Sequence, residues 1–259
     1  MTEYIDQMNT TIRLENTPGR IVSLVPSQTE FLYDIGLSAE VVGITKFCIY
    51  PDQWFRTKTR IGGTKNVAIE KVRALRPDLI IGNREENTKE DIEKLREIAP
   101  VWMSDIYTVE DACLMMREIG EMTGKKSEAD RITEKVETEF GGLTKHSPGK
   151  GKTFIYLIWK DPYYAAGKST FIDDVLCRMG FINLLKGERY PEWNAEEIPD
   201  FIFLSTEPYP FKDKHVNELS RRYPSSKIML VDGEMFSWYG SRLIYTVPYS
   251  RELFKTIIP

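Results

Sequence analysis

The chain has 259 residues, 41% of them hydrophobic, 29% charged and 12% aromatic, with a formal net charge of −4. That length admits one large domain or two smaller ones with real cores. An acidic balance without a basic stripe excludes nucleic acid as the main partner, and no apolar run reaches the roughly 18 residues of a membrane span.

Arg20 to Val25 is a short apolar run ending at Pro26, which predicts a buried strand. Ser27-Gln28-Thr29-Glu30 has the capping-box form, with Ser27 as N-cap and Glu30 reaching back. The helix that follows turns Phe31, Leu32 and Ile35 inward and stops at Gly36. Val41 to Thr45 is the second strand. Ile69, Val72 and Leu75 form one face of a helix that ends before Pro77, and Asp78 to Gly82 is the third strand. Asn87 is the expected cap of a helix with Ile92, Leu95 and Ile98 inward, and Val101 to Ser104 is the fourth strand.

A helical stretch over 108–145 follows, interrupted at Thr123-Gly124. Its second part places Ala129, Ile132, Val136 and Phe140 on one face; some 18 helical residues span roughly 27 Å, enough for a strut. After Ser147-Pro148-Gly149 the order of elements repeats. Thr153 to Trp159 is a strand, then a helix with Phe171, Val175, Leu176 and Met179 inward ends at Gly180. Phe201 to Leu204 is a strand, 213–222 a helix, Ile228 to Val231 a strand, and the chain closes on a helix containing Leu253, Phe254 and Ile257.

Strands alternating with helices predict parallel sheets covered on both faces. The expected fold is therefore α/β: two Rossmann-like lobes joined by a long backbone helix, with a ligand cleft between the lobes. The boundaries are 1–107 for the first lobe, 108–146 for the connector and 147–259 for the second lobe. One continuous doubly wound sheet is the competing topology.

Ligands of open parallel sheets bind beyond the carboxyl ends of the strands. The first lobe offers there Ser27 and Gln28, then Lys46, Phe47, Cys48 and Tyr50, then Thr64 in the Gly62-Gly63 loop, then Arg84. The second offers Trp159, Lys160, Tyr163 and Tyr164, then Thr206 to Phe211, then Phe236, Trp238, Tyr239 and Arg242. Rings of this density suit the walls of a large, flat or greasy ligand, with Lys160 and Arg242 for its anionic groups.

The two histidines, His146 and His215, follow no strand and are expected to be solvated. A naked zinc or manganese ion has no converging ligands here, so no metal site and no intrinsic cofactor is expected. Cys48, Cys113 and Cys177 form no disulfide or zinc pattern, and Cys113 and Cys177 read as core residues. Gly167-Lys168-Ser169 lacks the earlier glycine of a phosphate loop, because Pro162 stands there. No G-x-S-x-G elbow occurs, and no carboxylate pair is suited to general acid/base work, so no catalytic residue is assigned and the chain is not expected to be an enzyme.

Read together, RIVSLVPSQTEFLYDIGL, VVGITKFCIYP, RIGGTKNVAIEKVRALRPDLII, AAGKSTFIDDVLCRMGFINLL, YPEWNAEEIPDFIFL and MFSWYGSRL resemble the helical-backbone metal-receptor superfamily. These are the class III substrate-binding proteins of ABC importers, here most like the vitamin B12-binding and iron-siderophore-binding branches. The resemblance implies a monomeric binding protein that holds a metal-containing chelate, a corrinoid or ferric siderophore, and docks on an ABC permease. It places Tyr50 against the ligand and puts Thr64 and Tyr190 where corrinoid-binding relatives carry tryptophans. It assigns permease docking to Glu70 and Glu196. It also implies a periplasmic location, whereas the opening MTEYIDQMNTTIRLENTPGR, lacking a cationic start and an apolar core, reads as cytoplasmic unless a leader precedes it. An intracellular tetrapyrrole- or corrinoid-handling protein or enzyme on the same scaffold is the alternative.

Overall fold

The computed structural model describes residues 1–145, 147–195 and 197–255. Its two five-stranded sheets are separate and mainly parallel rather than one continuous sheet, and two further strand pairs are antiparallel.

In the first unit a hairpin comes first, β1 (Thr2–Ile5) against β2 (Thr11–Leu14). Then follow β3 (Ile21–Ser23), α1 (Pro26–Asp34), β4 (Val41–Ile44), α2 (Asp52–Thr57), β5 (Thr59–Arg60), the small pair β6 (Gly62–Gly63) and β7 (Asn66–Val67), α3 (Ile69–Leu75), β8 (Leu79–Asn83), α4 (Lys89–Arg96) and β9 (Val101–Ser104). The sheet order is β5-β4-β3-β8-β9, with every neighbour parallel. Its central strands β3 and β8 are buried at every position, as a sheet covered on both faces requires.

Three local readings change. Pro26 occupies the first turn of α1, where its missing N–H has no partner to lose, so Ser27 lies inside the helix and gives no side-chain cap. Glu30 accordingly bonds Arg242 instead of reaching back. The cap of α4 is Thr88, whose side chain accepts from Asp91 N, while Asn87 is buried. The N-terminal hairpin was not expected at all. Its turn is built by Asp6, whose Oδ1 accepts from Met8 N at 2.9 Å and Thr10 N at 2.7 Å, and whose Oδ2 accepts from Met103 N of β9 at 3.3 Å.

Two helices follow, α5 (Val109–Met122) and α6 (Lys126–Gly141), broken where the sequence places the break. The stretch drawn as a connector is largely packed into the first unit. That unit comprises Met1–Ile106, Glu110–Val136 and Tyr239–Arg242, and the second comprises Tyr107–Val109, Glu137–Trp238 and Leu243–Pro259. Ala112, Met115, Met116 and Ile119 of α5 are buried, and Gly120 lies so close to Ala129 of α6 that any Cβ would collide with it. His146 falls outside the described residues.

The second unit contains β10 (Thr153–Trp159), β11 (Tyr164–Ala165), α7 (Phe171–Arg178), β12 (Ile182–Asn183), β13 (Phe201–Ser205), α8 (Asp213–Arg222), β14 (Lys227–Val231), α9 (Glu234–Ser237) and α10 (Leu243–Phe254). The order is β11-β10-β13-β14, parallel except for β11, and β12 also pairs with β10. Strand alternation sends Ile155, Leu157, Ile202 and Leu204 into one core layer with Trp193, Phe211 and Leu219. The opposite face is a ring cluster in which Phe181 lies 5.5 Å from Phe203 and 4.9 Å from Phe254. Cys113 is buried as expected, but Cys177 is exposed at the outer side of α7, beside Asp173. The expected Ile257 contact lies outside the described residues.

Candidate ligand-binding site

In the first unit the loop after β4 carries two exposed rings. Phe47 is 50% exposed and Tyr50 is 39% exposed, with Ile49 beside them at 42%. Gly63 makes room for this loop: a Cβ there would lie 3.2 Å from the Phe47 ring and 3.5 Å from Lys46 Cε. Lys46 Nζ sits 5.0 Å from the Phe47 ring centroid.

Tyr50 is held from behind. The Arg242 guanidinium lies 4.6 Å from its ring centroid and forks onto Glu30, with Nη2 donating to Oε1 at 2.6 Å and Nε to Oε2 at 2.9 Å. Both side chains are largely covered, Arg242 at 11% exposure and Glu30 at 18%. Burial pushes the Glu30 carboxyl up and Arg242 opposes it. The approach of 239–242 to α1 depends on Gly240, where a Cβ would lie 2.8 Å from the Ser27 carbonyl oxygen. Arg242 is therefore not a cation waiting for a ligand's anion, because Glu30 already takes its fork.

Other expected contacts turn inward. Ser27 and Gln28 are buried because they fall in the first turn of α1; Gln28 Nε2 donates to Ser104 Oγ at 2.7 Å. Cys48 is fully buried and its sulfur lies 3.1 Å from both Thr29 Oγ1 and Thr45 Oγ1, so it lines no wall; burial pushes its thiol up. Thr64 is buried too, and its carbonyl accepts from Asn87 Nδ2 at 2.9 Å. Asn87 Oδ1 accepts from Asn83 N, also at 2.9 Å, so this one amide ties together the loops after β6 and β8. Arg84 donates to Asp105 at 2.7 Å. Glu70 stands on the surface, 83% exposed and 3.5 Å from Arg73. Glu196 lies outside the described residues.

In the second unit Trp159 and Tyr164 are exposed at 44% and 36%, Trp159 standing edge-on to Tyr209 at 5.7 Å. Lys160 donates to Glu218 at 2.6 Å, which raises the lysine and lowers the carboxyl. Tyr163 packs edge-on to Trp193 at 6.4 Å, and Tyr190 is half-buried. Phe236 is a core residue between Tyr156 and Tyr249, not a loop wall. Trp238 and Tyr239 are mostly buried, and Tyr239 belongs with the first unit.

The roles of two residues were not legible. Glu207 Oε1 accepts from Trp238 Nε1 at 3.0 Å and from Ser237 Oγ at 2.7 Å, fixing the indole at the carboxyl end of β13. Its place in the Thr206–Phe211 loop was the available signal. His215 is buried rather than solvated; its Nδ1 accepts from Lys212 N at 2.9 Å and caps α8. Burial, with Lys160 and other nearby lysines, lowers its pKa.

A cavity of about 190 Å³ lies in the second unit, lined by Leu184, Leu185, Pro191 and Trp193 with Lys186 and Glu197 at its rim. Ligand pockets commonly run to roughly 300–1,000 Å³, so this one is too small for a metal macrocycle. Among the described residues no group of three or more His, Cys, Asp or Glu side chains is placed to hold a metal ion, and no helix is long and apolar enough to cross a membrane.

The family profile described as periplasmic binding protein matches residues 21–217. The chain belongs to this family. It is 28% identical over 180 residues to the uncharacterized ABC transporter substrate-binding lipoprotein YvrC of Bacillus subtilis, covering 66% of this chain and 57% of that protein. It is 22% identical over 237 residues to a vitamin B12-binding protein of Pectobacterium carotovorum, covering 88% of this chain and 85% of the relative. Among solved structures, the periplasmic vitamin B12 binding protein BtuF of Vibrio cholerae superposes with a TM-score of 0.80 at 19% identity, covering 93% of this chain and 98% of BtuF. Staphylococcus aureus SirA, solved with staphyloferrin B, superposes with a TM-score of 0.77 at 17% identity over 98% of this chain and 99% of SirA. The α/β architecture expected from the sequence is the one found.

Proposed function

We propose that this periplasmic binding protein is the substrate-binding component of an ABC-type importer and carries a metal chelate, a corrinoid, haem or ferric siderophore. The observation that carries the reading is the placement of large exposed rings at the carboxyl ends of the strands in both units. Phe47 and Tyr50 follow β4, Trp159 is the last residue of β10, and Tyr164 opens β11, where it pairs with Trp159. Exposed aromatics collected at one end of a parallel sheet are the usual lining of a site for a flat, partly apolar ligand. The names of relatives, which include vitamin B12-binding and haem-binding proteins, support the same class. In this proposal chemistry is not performed on the ligand, and the exposed Glu70 meets a basic group of the permease.

Tryptophan fluorescence quenching with cobinamide, haem and ferric siderophores tests it. At least one chelate is expected to bind at micromolar concentration or tighter, and Trp159→Ala and Tyr50→Ala each to weaken it about tenfold. Unchanged affinity in both variants would show that the rings are not the site.

A further inference from the structure

We propose that the site selects a chelate of low negative charge and rejects polyanionic, carboxylate-rich chelates; this rests on the reading of the protein as a chelate carrier. A polyanion is recognised by arginines and lysines whose hydrogen bonds are still to be made. Here three of the cations near the strand ends, Arg242, Arg84 and Lys160, are already matched within their own units. In the first unit Arg242 is forked by Glu30 at 2.6 and 2.9 Å, and Arg84 is bonded to Asp105 at 2.7 Å. In the second unit Lys160 is bonded to Glu218 at 2.6 Å, with only 16% of its side chain exposed. For any of these to receive a ligand carboxylate, it must leave its partner, and the partner's negative charge then faces the incoming anion.

Further carboxylates near the strand ends act in the same direction. Asp161 follows β10, Glu207 follows β13 and holds Trp238, and Asp232 and Glu234 follow β14. Lys46 and the exposed Lys65 form no ion pair among the described residues, and both lie in the first unit. Lys46 rests over Phe47, an exposed ring, so one anionic group on an otherwise neutral ligand has a place beside an aromatic wall. Several anionic groups do not. Specificity then comes from like-charge exclusion as much as from attraction.

Titration calorimetry with cobinamide, a neutral ferric trihydroxamate and ferric citrate tests this. Ferric citrate is expected to bind at least about a hundredfold more weakly than the better of the other two. Glu218→Gln and Asp105→Asn keep the shape of each pair and remove the negative charge that faces Lys160 and the one that faces Arg84. Each is expected to improve ferric citrate binding by about fivefold or more, a larger gain than for cobinamide. Ferric citrate binding as tightly as the others, or gaining nothing in either variant, overturns the charge selection and leaves the carrier reading standing. Failure of all three chelates to bind overturns the carrier reading, and the selection falls with it.

Discussion

Replacing Arg242 with methionine tests the arrangement behind Tyr50. The wild-type pair is bidentate and mostly covered, at 11% and 18% exposure. Removing the guanidinium leaves Glu30 in the same covered place, with Asp34 as a like-charged neighbour and no counter-charge from position 242. Breaking a buried pair in this way costs about 3–5 kcal/mol, and partial exposure brings the expectation to about 2–4 kcal/mol. The loss has a pH signature. The two Arg242 contributions that lower the Glu30 pKa disappear, while burial and Asp34 continue to raise it. A carboxyl with a raised folded-state pKa favours folding at low pH, so the penalty shrinks as Glu30 takes up a proton. Urea unfolding at about pH 7.5 and about pH 5 reads both effects, and Glu30→Gln in the same background is expected to recover part of the loss. A destabilisation below about 0.5 kcal/mol, or one equal at the two pH values, would refute the assignment of a buried, ionised pair.

Further expectations concern neighbouring groups. Glu118 has a buried oxygen without a partner among the described residues, and burial with Asp6 and Glu121 nearby pushes its carboxyl up from 4.5 to about 7. The folded state then holds a proton that the unfolded chain releases, so stability falls as pH rises from the ordinary carboxyl range through 7; Glu118→Gln should add about 1 kcal/mol above that range after allowance for solvent screening, and nothing at low pH. His215→Ala should cost about 1 kcal/mol by removing the cap of α8. Because the His215 pKa is lowered, its contribution is complete above the ordinary 6.5 and fades as pH falls through the folded value, which thermal melts across that interval will read. Glu207→Gln keeps the size of the side chain but weakens the acceptor for the Trp238 indole; a blunted, shifted tryptophan emission with retained secondary structure is expected, and an unchanged emission spectrum would contradict the positioning role.

The alternation of apolar runs with amphipathic helices made the α/β order legible, down to the strand Thr153–Trp159 and the helix Asp213–Arg222. What escaped depends on contacts distant in sequence. The hairpin β1–β2 has exposed outer positions and is tied down by Asp6 on β9, 97 residues away. Ser27 looked like a cap because nothing local shows that Pro26 takes the first turn. The loops after the strands were legible, since loops follow strands, but side-chain direction was not available. Cys48 lies between exposed Phe47 and Ile49 yet faces the interior, and Gln28 and Phe236 are buried as well. Charge had the same difficulty: Arg242 and Lys160 read as ligand cations until Glu30, 212 residues away, and Glu218, 58 residues away, were seen to hold them.

Equilibrium dialysis of the intact protein against cobinamide, haem and a neutral ferric trihydroxamate, followed by visible absorbance, tests the carrier role most directly. One chelate is expected to be retained at about one equivalent per chain and released unchanged on denaturation. Absence of retained colour for every chelate at concentrations well above micromolar, or a bound chelate that emerges chemically altered, would contradict it.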